Sequence, residues 1–146
     1  MLDPYGLHLD WQVIHEAGQS SSIEIFLNFP IADINRNVLW RNPDKVDPRQ
    51  ARRMTRFWGD ESWRESLYPP ENTLFGEIQK KTNNETVARV FGERLRATAG
   101  FKYVPEPMPM RNSKKAVVYY LFFASHKPVA AHIVTSIFGK YRDRGL

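Results

Sequence analysis

The chain contains no cysteine, which excludes disulfides and cysteine-ligated zinc centres. No apolar run approaches the roughly 18 residues that a membrane helix requires. The first residues lack the basic start and apolar stretch of a secretory signal. These absences leave a cytoplasmic location as the expectation. The four histidines, His8, His15, His126 and His132, share no metal-ligand spacing, and no metal is expected. No Ser-His-Asp arrangement is legible. The eight glycines form no Gly-x-Gly cluster of the kind that cradles a cofactor. Internal repeats and low-complexity tracts are absent too.

What is present suits one domain with a real core: 146 residues, 42% of them hydrophobic and 13% aromatic. The net charge of +5 is localised. Arg36, Arg41, Lys45, Arg49, Arg52, Arg53 and Arg56 face only Asp44 and Asp47 in the same stretch, a balance equal to that of the whole chain. Such a segment either follows a phosphate backbone or forms a solvated helix face.

Patterning along the chain gives an order of elements. Asp3-Pro4-Tyr5-Gly6, directly after Met1-Leu2, reads as the turn that follows a strand, as though the chain began inside a domain. Asp10 caps a helix from Trp11 to Ala17, with Gly18 as its stop. Ser22 to Phe29 reads as a strand: Ile23, Ile25, Leu27 and Phe29 alternate onto one face, and Pro30 ends it. A mostly helical stretch follows. Asp47-Pro48 opens a helix with Ala51, Met54, Phe57 and Trp58 on one side and Gly59 at its end. Asp60 caps a short helix through Trp63, Pro69-Pro70 breaks the chain, and a helix is expected over Thr73 to Lys81. Asn84 caps the next helix, with Val87, Val90, Phe91 and Leu95 at helical spacing and Gly100 closing it.

Phe101 to Met110 is extended but irregular because of Pro105, Pro107 and Pro109. The continuous apolar run Ala116 to Ala124 marks a strand covered on both faces, and Arg111 to Lys114 suits a hairpin connection. After Pro128, Ala130, Ile133, Val134, Ile137, Phe138 and Tyr141 form the stripe of a last helix. Strand stub, helix, strand, helical insert, strand, strand, helix is how class I methyltransferase folds end. The expected fold class is therefore α/β: the C-terminal half of a class I methyltransferase-like Rossmann sheet, as a single partial domain over residues 1–146. It carries a helical insert over 31–99 and a terminal antiparallel hairpin.

In open α/β sheets, ligands bind at the carboxyl ends of the strands. Asp3, Pro4, Tyr5 and Gly6 would stand at one such end and form the candidate catalytic motif. A carboxylate there orients an exocyclic amine toward a methyl donor, Tyr5 can stack on an unstacked base, and Gly6 allows close approach. The alternative is an ordinary turn. Asn28 and Pro30 stand at the next strand end and, with Arg49, Arg52, Arg53 and Arg56 on one helical stripe, are the candidate substrate contacts. Trp11, Trp40, Trp58 and Trp63 read as packing residues, with one of them a candidate base platform.

Asp3-Pro4-Tyr5-Gly6-Leu7-His8-Leu9-Asp10-Trp11 resembles the segment characteristic of the three-Cys-motif partner proteins, a bacterial family. Similar blocks follow in the same order: Ile25 to Pro30, Asn35-Arg36-Asn37, Phe57 to Trp63, and Tyr120 to His126. Asp3 to Gly6 also resembles the fourth motif of the tRNA guanine-N2 dimethyltransferases. It departs from the Asp-Pro-Pro-Tyr pattern of adenine amino-methyltransferases at Tyr5 and Gly6. The resemblance implies an S-adenosylmethionine-dependent, methyltransferase-like protein related to nucleic acid, with a separate three-Cys-motif protein as partner. It also implies an upstream half that holds the cofactor loop. This chain alone is then expected neither to bind the cofactor nor to be active, and an open sheet edge would favour a homo-oligomer. The rival expectation is a non-catalytic interaction protein that retains the fold.

Overall fold

The computed structural model describes residues 7–142. The motif Asp3-Pro4-Tyr5-Gly6 and the expected strand stub at Met1-Leu2 lie outside the described residues.

The first helix, α1, spans Trp11–Gln19. The Asp10 carboxylate accepts a hydrogen bond from the Gln12 N–H at 3.0 Å, which satisfies one of the orphan donors of the first turn. Trp11, Ile14 and Ala17 form its buried face. The helix does not stop at Gly18, as the sequence suggested, but runs through it to Gln19. The glycine is required there by a close approach: a Cβ on Gly18 would collide with the backbone carbonyl of Ala99.

Strand β1 covers Ile25–Phe29, shorter than the expected Ser22 to Phe29, and its burial alternates with the pleat. Before Ile25 the ladder gives way to a side-chain bond, Ser125 Oγ donating to Glu24 Oε2 at 2.7 Å. Helix α2, Ile31–Asn37, and a short 3-10 turn, Pro43–Lys45, lead to α3, Pro48–Trp58. Asp47, Pro48 and Gly59 act on α3 as expected: the Asp47 carboxylate caps the Arg49 N–H at 2.9 Å, and Gly59 closes the helix at φ +107°. Helix α4 begins at Trp63 and runs to Leu67, later than expected, because Asp60 binds the Ser62 N–H in a turn before it.

The helix expected over Thr73 to Lys81 is absent. A hairpin takes its place, β2 at Pro70–Thr73 and β3 at Gly76–Gln79. Gly76, at φ +105°, supplies the left-handed residue the turn needs, and Thr73 Oγ1 closes it by donating to the Gly76 carbonyl at 2.7 Å. Residues 31–99 are thus mostly helical, with one hairpin among them. Helix α5, Asn84–Ala97, is capped by Asn83 rather than Asn84. The Asn83 amide oxygen accepts from the Thr86 N–H, while that of Asn84 accepts from Asn35 Nδ2 at 2.8 Å.

Strands β4, Met108–Arg111, and β5, Val117–Ala124, form the expected hairpin. Asn112 holds its turn by accepting from the Lys114 and Ala116 N–H groups. The main sheet has the order β1-β5-β4, and β5 is antiparallel to both neighbours. The outer strands β1 and β4 are therefore parallel to each other. Among the described residues β1 pairs with β5 on one side only.

Both sheet faces are covered. On one, Leu27, Phe29 and Phe122 pack under the helical insert, where Phe91 of α5 meets Trp11, Phe29, Phe57, Trp58 and Phe122. On the other, α6, Pro128–Arg142, packs Val134 and Phe138 against Met108 and Phe123. The expected α6 stripe divides: Val134 and Phe138 are buried, whereas Ile133 and Ile137 are exposed along with Val129. No helix among the described residues is long and apolar enough to cross a membrane.

Candidate nucleic-acid interface

Helix α3 turns its apolar side, Ala51, Met54, Phe57 and Trp58, into the core. Helical spacing leaves Arg49, Arg52, Arg53 and Arg56 on the other side. Their environments separate them. Arg49 is paired with Asp47 at 3.2 Å. The Arg49 backbone N–H and then its guanidinium hold the Asp47 carboxyl below its ordinary range, and Asp47 in turn raises Arg49. Arg53 folds sideways: Nη1 donates to Gln50 Oε1 at 2.7 Å, and Nη2 lies 3.4 Å from His8 Nε2.

Arg52 and Arg56 are exposed and form no hydrogen bond or ion pair among the described residues. They line a shallow depression together with Ala51, Thr55, Glu61 and Arg64. Arg64 is held in place, its guanidinium 4.5 Å from the centre of the Trp63 ring and 3.4 Å from Glu61. The free pair Arg52 and Arg56 therefore faces a third, ordered cation.

Burial pushes the Tyr68 hydroxyl up to about 12, against the opposing charge of Arg64. The hydroxyl donates to the Trp40 carbonyl at 2.6 Å. Trp40 is the exposed tryptophan, at 41%, whereas Trp11, Trp58 and Trp63 are buried. Its indole is fixed by donation from Nε1 to the Arg36 carbonyl at 2.7 Å. Exposed Arg41 follows it in the chain. Lys81 lies near enough for the charge of Arg41, after burial, to lower its pKa. Leu74 and Phe75 stand fully exposed at the hairpin tip. The sequence assigns no role to Arg64, because it joins Arg52 and Arg56 across two helices and not along one.

Asn28 and Pro30 are half-buried at the end of β1, and no hydrogen bond or ion pair joins them to the α3 arginines among the described residues. The described glycines with positive φ, Gly59, Gly76 and Gly100, lie at a helix end, a hairpin turn and a post-helix turn. None forms a loop between a strand and a helix that would cradle S-adenosylmethionine. No methyl-transfer step is assigned to the described residues. No group of three or more His, Cys, Asp or Glu residues with metal-site geometry occurs among the described residues. No family model, curated protein or solved structure matches the chain.

Proposed function

We propose that this chain is the substrate-side half of a methyltransferase-like α/β protein related to nucleic acid, and that its insert grips the nucleic-acid strand. The observation that carries the reading is the pair of exposed guanidinium groups, Arg52 and Arg56, without hydrogen bond or ion pair among the described residues, beside the ordered Arg64. A surface of this kind binds phosphates, and exposed Trp40 offers a stacking face for a base elsewhere on the chain. The strand order β1-β5-β4, with the antiparallel strand in the middle, supports the methyltransferase-like part, since such sheets end this way. Asp3, Pro4, Tyr5 and Gly6 remain the proposed chemical motif, and S-adenosylmethionine the cofactor of the whole protein.

Binding of single-stranded RNA or DNA should weaken with salt, with a log–log slope of about −0.7 to −0.9 per phosphate neutralised. Arg52→Glu/Arg56→Glu should weaken binding at least roughly tenfold for every sequence and make the slope shallower by about 2. Arg53→Glu should do less, because Arg53 is already turned toward Gln50 and His8. Filter binding across a salt series reads all of this. Equal affinity of parent and double variant removes the nucleic-acid reading.

A second reading, an interaction protein that pairs with a three-Cys-motif partner or with itself, is favoured by the exposed Val129, Ile133 and Ile137 on α6 and by the side of β1 that no strand pairs with among the described residues. Unpaired strand edges recruit other chains. On this reading sedimentation equilibrium finds a dimer or larger species, and a monomer at high concentration removes self-association.

A further inference from the structure

A cleft of about 540 Å³ lies on the opposite side of α5 from the α3 contacts, between that helix and the proline-rich approach to β4. Its size is that of a small-molecule site. Ala88 and Gly92 of α5 form one wall, Val104, Pro105 and Pro107 the other, and Tyr120 and Phe122 of β5 the floor. Tyr120 is only 6% exposed, yet its hydroxyl lines the cleft and makes no hydrogen bond among the described residues. Burial raises its pKa, the charge of Glu85 adds to this, and Arg111 opposes it, so the phenol stays neutral and able to donate. The hydroxyl is reached from the cleft and is open to a partner there.

The charges around that hydroxyl are ordered along the cleft. Glu85 stands at the N-terminal end of α5, and Arg89 and Arg96 follow on the same helix face. Arg96 ties the two walls together by donating to the Val104 carbonyl at 2.7 Å. Arg89 is exposed and paired with Glu93 at 2.9 Å, an i,i+4 surface contact that an anionic ligand can displace. Arg111 adds a third guanidinium, while Glu106, across the cleft, lies 3.9 Å from Arg142 and is partly offset by it. The cleft thus combines an apolar aromatic floor, a neutral phenol beside a carboxylate, and an excess of guanidinium groups.

We infer that this cleft binds a nucleoside monophosphate, free or as one residue of a single strand. The base enters between the proline wall and the α5 face that carries Ala88 and Gly92, with Tyr120 at its inner end. Tyr120 and Glu85 meet its ring nitrogen and exocyclic amine, and the guanidinium groups of Arg89 and Arg111 meet its phosphate. The site is distinct from the Arg52-Arg56 surface and stands without it.

Two-dimensional NMR titration of the full chain with AMP, GMP, CMP and UMP, and separately with a short single-stranded oligonucleotide, tests the assignment. AMP, GMP and CMP, which carry an exocyclic amine, should shift the amides of α5 and β5 saturably, with Kd below about 1 mM. UMP and adenosine should bind more weakly, for want of the amine and of the phosphate. Tyr120→Phe should weaken AMP about 3- to 10-fold, and Arg89→Glu about tenfold or more. Gly92→Leu closes the cleft without changing charge: a Cβ there lies 3.4 Å from Phe122 Cε1, and the rest of the side chain fills the space. It should abolish binding while the spectrum stays folded. Arg52→Glu/Arg56→Glu should leave mononucleotide binding unchanged, so loss of either site is read apart from the other. Saturation by the oligonucleotide alone assigns the cleft to a strand residue, and saturation by mononucleotides assigns it to free nucleotides as well. Absence of saturable shifts with every ligand, or AMP binding unaffected by Gly92→Leu and Arg89→Glu, overturns the proposal.

Discussion

Replacing Gly18 with alanine is expected to cost roughly 3 kcal/mol or more of stability, among the largest losses available to one methyl group. Gly18 sits inside α1, where alanine ordinarily helps. Here the added Cβ would fall onto the backbone carbonyl oxygen of Ala99 and 3.0 Å from the Ala99 Cβ. Backbone cannot step aside as a flexible side chain can. The neighbourhood is also pinned: Gln19 Nε2 donates to the Ala99 carbonyl at 2.9 Å, and the His126 ring nitrogen lies 2.9 Å from the Gly18 carbonyl. Opening the helix–loop contact to admit a methyl group breaks both. Gly139→Ala is the control. Gly139 lies within α6 with nothing near its missing Cβ, so alanine there should be neutral or stabilising by up to ~1 kcal/mol. Urea unfolding of the two variants against the parent reads the difference. A Gly18→Ala chain as stable as the parent would show that α1 is free to move away from Ala99.

Arg94→Met is expected to lose about 2–4 kcal/mol, although methionine keeps most of the side chain's apolar length. Arg94 is an arginine on α5 whose side chain is only 12% exposed. Burial lowers its pKa, which the charge of Asp60 opposes, and the guanidinium remains charged. Nε and Nη2 donate to the Trp58 carbonyl at 3.0 and 2.7 Å. That carbonyl lies in the last turn of α3 and has no helical partner of its own. The same cation stacks over the rings of Trp11 and Trp58, at 4.8 and 5.4 Å. Removing it leaves a carbonyl unpaired among tryptophans and unties α1, α3 and α5 at once. Its ion pair with Asp60, 3.7 Å away and half in solvent, adds little. Asp60→Asn should therefore melt close to the parent, and thermal unfolding of Arg94→Met and Asp60→Asn separates the two contributions. The Asp60 carboxyl is held below its ordinary pKa, first by its hydrogen bonds to Ser62. Its small contribution is therefore present above that ordinary value and is lost as pH falls through the lower folded value.

These two residues also mark where local reading stopped. Gly18 after an amphipathic stretch looks like a helix stop, because a glycine past a helix usually is one. Its real role is set by Ala99, which no spacing connects to it. The sequence reading places the cap at Asn84, but Asn83 takes it, and the Asn84 side chain is engaged by Asn35 instead. Thr73 to Lys81 offers helical spacing, but a hairpin forms instead, closed by Thr73 and Gly76. Where every signal is local the reading holds. Asp47-Pro48, the apolar face of α3 and Gly59 define one helix among themselves. The run Val117 to Ala124 has no stable place except inside a sheet.

The candidate site divides in the same way. Helical periodicity alone determined that Arg49, Arg52, Arg53 and Arg56 share one side of α3, because 3.6 residues per turn leaves them no other arrangement once Ala51, Met54, Phe57 and Trp58 are buried. Only the tertiary structure decided which of them are free. Arg53 is drawn off by Gln50 and His8, and Arg64 is brought beside Arg52 and Arg56 by the fold of α4 against α3. The cleft under α5 depends wholly on tertiary contact, since Glu85, Arg89 and Tyr120 come from elements that pair only when β5 enters the sheet. The physical reason is the range of the interactions. Caps and periodicities act within a turn or two of chain and are written in neighbouring residues, whereas charge pairing, close approach and cavities depend on side chains that folding alone brings together.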